Sequence, residues 1–126
     1  MTIAAPAPKP APTARELSAA DLDFATLLRP GDRLVAGQMA GEPLTLTEAL
    51  TAQRHALTGI EIFVGVLNDT AFTAETVDHL RYRSFGAMGR AAALYAAGGL
   101  DVVPVSLGRI GAAIAEGRIG CDVALV

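Results

Sequence analysis

Asp32-Arg33-Leu34-Val35-Ala36-Gly37-Gln38-Met39-Ala40-Gly41-Glu42-Pro43 is the stretch on which the reading of the fold turns. A short apolar strand, 33–36, runs into a loop bracketed by Gly37 and Gly41. Pro43 then opens a helix, because the first turn of a helix leaves its amides unpartnered and tolerates proline. Leu46, Leu50, Gln53 and Leu57 recur on one face of that helix, and Gly59 closes it. The arrangement aims a helix N-terminus and glycine-bared backbone amides at one point, a generic way to hold an anionic or carbonyl-bearing ligand. Gly37, Gln38, Met39, Gly41, Glu42 and Pro43 are therefore the candidate substrate-binding residues.

The same alternation continues on both sides. Upstream, Ser18 can cap a helix with Asp21 in its first turn, Phe24, Leu27 and Leu28 share a face, and Pro30-Gly31 ends it. Downstream, residues 60–66 form a nearly continuous apolar run, as expected of a strand buried on both faces. A loop at Asn68-Asp69-Thr70 leads to a short helix over 73–80 and a third strand over 82–85. A helix over 88–97 follows, with Met88, Ala91, Ala92 and Tyr95 on one stripe, and Gly98-Gly99 ends it. The fourth strand spans 101–105, and Ser106 caps a helix whose Leu107, Ile110, Gly111 and Ile114 form one face. Gly117 ends that helix, and 122–126 begin a fifth strand. The fold class is α/β, a mostly parallel sheet of about five strands with helices on both faces. In such sheets ligands bind beyond the carboxyl ends of the strands, where loop 37–43 lies. A bare apolar strand at 122–126 implies either a protected place in the sheet or a chain that is a piece of something longer.

With 126 residues, 52% of them hydrophobic, the chain is one domain able to bury a core. It has no Trp and few aromatics, so Ala, Val, Leu and Ile must build that core. Residues 1–17 read as a disordered Pro/Ala-rich arm, with Pro6, Pro8, Pro10 and Pro12, and residues 18–126 as the α/β domain. The arm lacks the basic and apolar regions of a signal peptide. A net charge of −3 provides no basic footprint for nucleic acid. No apolar run approaches the roughly 20 residues of a membrane span. The single Cys121 excludes an internal disulfide and suits a reducing, cytoplasmic compartment.

Several local patterns compete for a chemical role. Val105 to Ala113 follows a strand and opens a helix like a dinucleotide-binding fingerprint, but Ser106 stands where the tight turn needs the first glycine. Small residues packing the helix against the sheet account for it better. Gly86-Ala87-Met88-Gly89-Arg90-Ala91 is a weaker echo, read as a strand-to-helix turn. Ser84 and Ser106 lack a nucleophile elbow, and Cys121, at the start of a buried strand, reads as an inert core thiol. His55 and His79 have no second ligand at metal spacing and read as surface histidines, so no metal set is assigned. Arg81, Arg83 and Arg90 could reach phosphates, though pairing with carboxylates is the simpler reading. Glu42, beside the helix N-terminus, suits a capping role and makes the loop a poorer site for a bare anion than for a thioester, a carbonyl or another polar group.

Taken in order, four segments resemble one family. Arg29-Pro30-Gly31-Asp32-Arg33-Leu34-Val35, then Gly37 and Gly41-Glu42-Pro43 and an Ala/Leu-rich helix, is similar to the opening of the acetyl-CoA hydrolase/transferase family. These are class I CoA-transferases, which include 4-hydroxybutyrate and succinyl-CoA:acetate enzymes. Ser84 to Ala91 resembles the family's strand-turn-helix ahead of an Arg, and Val103-Pro104-Val105-Ser106-Leu107 its Val-Pro-x-x-Leu step. Gly117 to Leu125 resembles its Gly-Arg-Leu-x-x-Asp-Val-Ala-Leu segment. The likeness runs from about Leu28 to Val126 and departs at Met88-Gly89, where the family commonly has Asn and Val.

The resemblance implies two similar α/β halves with an active site between them, of which this chain is most of the first. The catalytic glutamate, which takes the acyl group as an anhydride and then carries CoA as a thioester, belongs to the second half. None of Glu16, Glu42, Glu48, Glu61, Glu75 or Glu116 matches its motif. The function so implied is the N-terminal part of a CoA-transferase or acyl-CoA hydrolase. Its substrates are an acyl-CoA thioester and a small carboxylate, with no tightly bound cofactor. Its partner is a C-terminal half or second subunit, and a homo-oligomer is left open. The alternative is a non-catalytic α/β module that binds a nucleotide such as NAD, through the turn at Gly108 and Gly111, or docks a subunit.

Overall fold

A computed structural model describes residues 13–68 and 71–126. Pro6, Pro8, Pro10 and Pro12 of the arm, and Asp69 and Thr70 of the expected loop, lie outside the described residues. Five short strands, β1 (Arg33–Ala36), β2 (Glu61–Phe63), β3 (Arg81–Ser84), β4 (Leu100–Val102) and β5 (Val123–Leu125), form one parallel sheet in the order β4-β3-β2-β1-β5. Register explains why the sheet holds. Val123, Leu34, Ile62, Tyr82 and Leu100 stand side by side across it, so one row of apolar side chains shares a face. The chain walks outward from β1 to β4 and then returns past the whole sheet to lay β5 on the other side of β1. Right-handed crossovers then require the return helix to sit on the opposite face from the others.

The apolar clusters agree. Phe24 of α1 (Phe24–Leu27), Leu50 of α2 (Leu44–Ala52) and Ala91 and Leu94 of α3 (Ala91–Ala96) pack with Leu34, Ile62 and Tyr82. Ala113 of α4 (Ile110–Ala115) packs instead with Phe63 and Ile119 in a separate, smaller cluster. The α/β class with helices on both faces is what the structure shows, but the two faces are unequal. The second face is apolar only toward the carboxyl ends of its strands. Toward the amino ends it carries ion pairs: Arg33–Asp122 at 3.1 Å, Arg83–Glu61 at 3.3 Å and Arg81–Asp101 at 3.2 Å. Arg81 and Arg83 are thus occupied by carboxylates, and one helix suffices to cover what is apolar.

Local details depart from the sequence reading for identifiable reasons. The helix after Pro43 stops at Ala52 because Gln53 turns out of it. The Gln53 side chain accepts from the Phe24 amide at 2.8 Å and donates to Leu22 O at 2.8 Å, tying the N-terminal segment to the domain. Residues 54–56 and 74–78 are 3-10 turns. The Ser18 hydroxyl donates to the Asp21 carboxylate at 2.6 Å instead of capping, and Asp23 caps α1 through the Ala25 amide at 3.1 Å. The stripe expected on α3 is out of phase: Met88 precedes the helix and Tyr95 is 57% exposed, whereas Ala91 and Leu94 are buried. An alanine-rich helix offers little to choose its buried face, and Leu94 decides it. Leu107 is exposed in the 3-10 turn before α4, and Ile110, Ala113 and Ile114 of α4 face the sheet. Cys121 is exposed in the turn before β5, so it is no core thiol, and β5 is an edge strand beside β1. No helix among the described residues is long and apolar enough to cross a membrane.

Tyr82 is the largest fully buried side chain. The Thr76 hydroxyl donates to Thr73 O at 2.7 Å, so the Tyr82 hydroxyl donates to Thr76 Oγ1, also at 2.7 Å. Thr76→Val strands a buried donor and is expected to cost about 2 kcal/mol, whereas Tyr82→Phe removes the donor itself and costs about 1 kcal/mol. Burial pushes the Tyr82 phenol well above its usual value. Above pH about 10 the unfolded chain gives up that proton and the folded chain does not, so stability falls as pH rises, by up to about 1.4 kcal/mol per unit. Urea midpoints from pH 9 to 11 check this: the alkaline slope should be shallower in Tyr82→Phe.

Candidate functional site

The strand order reverses at β1, which has β2 on one side and the returning β5 on the other. In open parallel sheets ligands bind beyond the carboxyl ends of the strands, beside such a switch point. Loop 37–43 leaves β1 at that place. The Gly37 amide donates to Leu125 O at 3.0 Å, extending the β1–β5 pairing into the loop. A Cβ on Gly37 would overlap the carbonyl oxygen of Gly41, so the loop can fold back on itself only over a glycine. Gln38 is equally tightly set. Its Oε1 accepts from the Val66 amide at 2.9 Å, and a Cβ on Gly65 would overlap its side chain. Met39, between these anchors, is held at φ +53 with its side chain 54% exposed, a left-handed conformation that persists because its amide donates to Val66 O at 3.0 Å.

Glu42 does not face the crevice. Its Oε1 accepts from the Asn68 amide at 2.6 Å, while Arg90 Nε donates to Asn68 O at 2.6 Å, so the loops after β1, β2 and β3 are laced together. Glu42 Oε2 is buried without a partner among the described residues.

Beside this loop, between β1, β2 and α4, lies a depression of about 200 Å³. Val35, Phe63, Phe85 and Ile110 contribute its apolar side chains, and Gly37, Gln38 and Gly65 the rest of the lining apart from Ala36. Of the six residues expected at the site, Gly37 and Gln38 line this slot, and Met39, Gly41, Glu42 and Pro43 do not. The amides also differ from expectation. Those of Gly37, Met39, Gly41 and Glu42 donate to Leu125 O, Val66 O, Gln38 O and Met39 O, so they hold the loop together and are not presented to a ligand. An apolar slot with a rigid polar edge stands where backbone amides aimed at a carbonyl or another polar ligand group were expected. The sequence reading missed Val35, Phe63, Phe85 and Ile110. The signal available was the alternation along β1 and β2, which separates Val35 and Phe63 from Leu34 and Ile62.

No protein-family model matches the chain, and no curated protein matches it. The competing glycine turn lies between β4 and α4, and Ile110, between its two glycines, is in the wall of the slot. A Cβ at Gly108 or Gly111 would meet nothing within 4 Å, so neither glycine serves a close approach. At the opposite end of the strands from the slot, the structure also brings Asp78 together with His55 and His79, the two expected surface histidines.

Proposed function

We propose that this chain is the N-terminal part of a CoA-transferase or acyl-CoA hydrolase and that the slot receives a short acyl group. The observation that supports this is the apolar slot at the carboxyl ends of β1 and β2, edged by Gly37 and Gln38. About 200 Å³ is small for a whole cofactor but suits a short acyl chain. Burial of such a chain is favourable by about 0.8 kcal/mol per methylene. A phosphate would find no such welcome, since the amides of Gly37, Met39, Gly41 and Glu42 are engaged and Arg81 and Arg83 are paired.

In this reading the chain binds and orients, and the glutamate that attacks the thioester carbonyl lies outside it. The chain's own glutamates fit that division: Glu42 is turned to Asn68, Glu61 pairs with Arg83, and Glu116 pairs with Arg118 at 2.8 Å. Calorimetric titration with butyryl-CoA and with NAD tests the reading. Butyryl-CoA is expected to bind, NAD is not, and Ile110→Trp, which fills the slot from its half-buried wall, is expected to abolish butyryl-CoA binding. The purified chain should transfer no CoA. NAD binding that Gly108→Val removes would favour the nucleotide module instead, and CoA transfer by the chain alone would refute the division of labour.

A further inference from the structure

His55 lies in the 3-10 turn Arg54–Ala56 that leads toward β2, and Asp78 and His79 end the turn Ala74–Asp78 that leads into β3. Because β2 and β3 are adjacent and parallel, the two approaches meet at the amino edge of the sheet. The imidazole rings stand edge to face with centroids 4.4 Å apart, and His79 Nδ1 is 3.4 Å from Asp78 Oδ1. One ligand atom from each of the three residues lies within 4.8 Å of the others. Donors on a tetrahedral metal of this kind are about 3.4 Å apart, so small side-chain rotations close the remaining distance.

Three features make this more than a chance meeting of surface groups. Asp78 is held from behind by Arg54, whose Nε and Nη2 lie 2.9 and 3.4 Å from its two oxygens, as second-layer donors hold ligating carboxylates. The histidines and Asp78 are all exposed, leaving open positions for water or a further ligand. Two imidazoles and one carboxylate suit zinc, cobalt, nickel or copper, whereas magnesium and calcium prefer oxygen alone.

We propose that His55, Asp78 and His79 form a surface site for a divalent transition metal of the zinc class, with solvent completing its coordination. The site is independent of the acyl slot, which lies at the other end of the strands.

Titration of the full chain with Zn²⁺ by calorimetry, and with Co²⁺ by visible absorption, tests it. One equivalent is expected to bind, with the intense tetrahedral or weaker five-coordinate cobalt bands. His55→Ala and His79→Ala are each expected to weaken binding by about tenfold or more. Both positions are exposed, and unchanged circular dichroism and melting temperature separate loss of a ligand from loss of fold. Cys121→Ser, at the other exposed soft donor, is expected to leave the affinity unchanged. Absence of binding at millimolar metal overturns the proposal, as does binding that both histidine variants leave intact or that Cys121→Ser abolishes.

Discussion

Gly37→Ala is expected to lower the melting temperature by about 10 °C or more, while Gly41→Ala leaves it nearly unchanged. The two glycines bracket the same loop and differ in what surrounds them. A methyl group on Gly37 would run into the Gly41 carbonyl, with Pro43 Cδ 3.5 Å away behind it. That carbonyl cannot simply retreat, because the Gly41 amide is bonded to Gln38 O at 2.9 Å and Gly37 itself to Leu125 O at 3.0 Å. Relief therefore means opening the loop or loosening β5 from β1. Overpacking of this kind costs about 3 kcal/mol, which in a domain of this size moves the melting point by about 4 °C or more per kcal/mol. Around Gly41 nothing lies within 4 Å of an added Cβ. Alanine there also restricts the unfolded chain, so the net effect is between zero and about 1 kcal/mol of stabilisation. Thermal melts of the two variants side by side check the pair; equal melting temperatures would mean that the turn does not depend on the close approach at Gly37.

That contrast shows where sequence reading stops. Alternation of apolar runs with glycine-closed helical patterns was enough to infer a parallel α/β sheet of five strands, because each strand and each crossover announces itself locally. Strand order is not local. Leu34 and Val35 are both apolar and adjacent, and strand alternation alone puts them on opposite faces, but which of those faces is the thinly covered one depends on the crossover that returns to β5. Gly37 and Gly41 look alike in the chain because the atom that distinguishes them is a carbonyl across a turn. His55 and His79 are 24 positions apart, too far for any ligand spacing to connect them. A clue was present even so: each sits just before one of two consecutive strands, and consecutive same-face crossovers bring such positions together. The amides of loop 37–43 were misread for a different reason. Glycine exposes backbone, but whether that backbone faces a ligand or its own chain depends on where Val66 and Leu125 lie.

The inequality of the two faces carries the second large prediction. Leu34→Ala is expected to cost about 3 to 4 kcal/mol, and Ile110→Ala about 1 kcal/mol. Leu34 is fully buried, stands between Ile62 and Val123 in the central row, and belongs to a cluster of 17 buried residues, so a cavity there is surrounded on all sides and cannot collapse. Against a total stability of about 5 to 15 kcal/mol, that loss leaves the variant marginal. Ile110 is only half-buried and flanks a cluster with three buried members, Phe63, Ala113 and Ile119. Its truncation enlarges an existing depression open to water and leaves no sealed void. Urea midpoints with unchanged m-values measure both. Equal costs would mean that the slot is a flaw in a rigid core and not a surface built to be filled. Unequal costs would explain how the fold can keep an unfilled apolar slot at all. The large cluster under α1, α2 and α3 carries the stability, so the thinly covered face is free to present Phe63, Phe85 and Ile110 to whatever completes it.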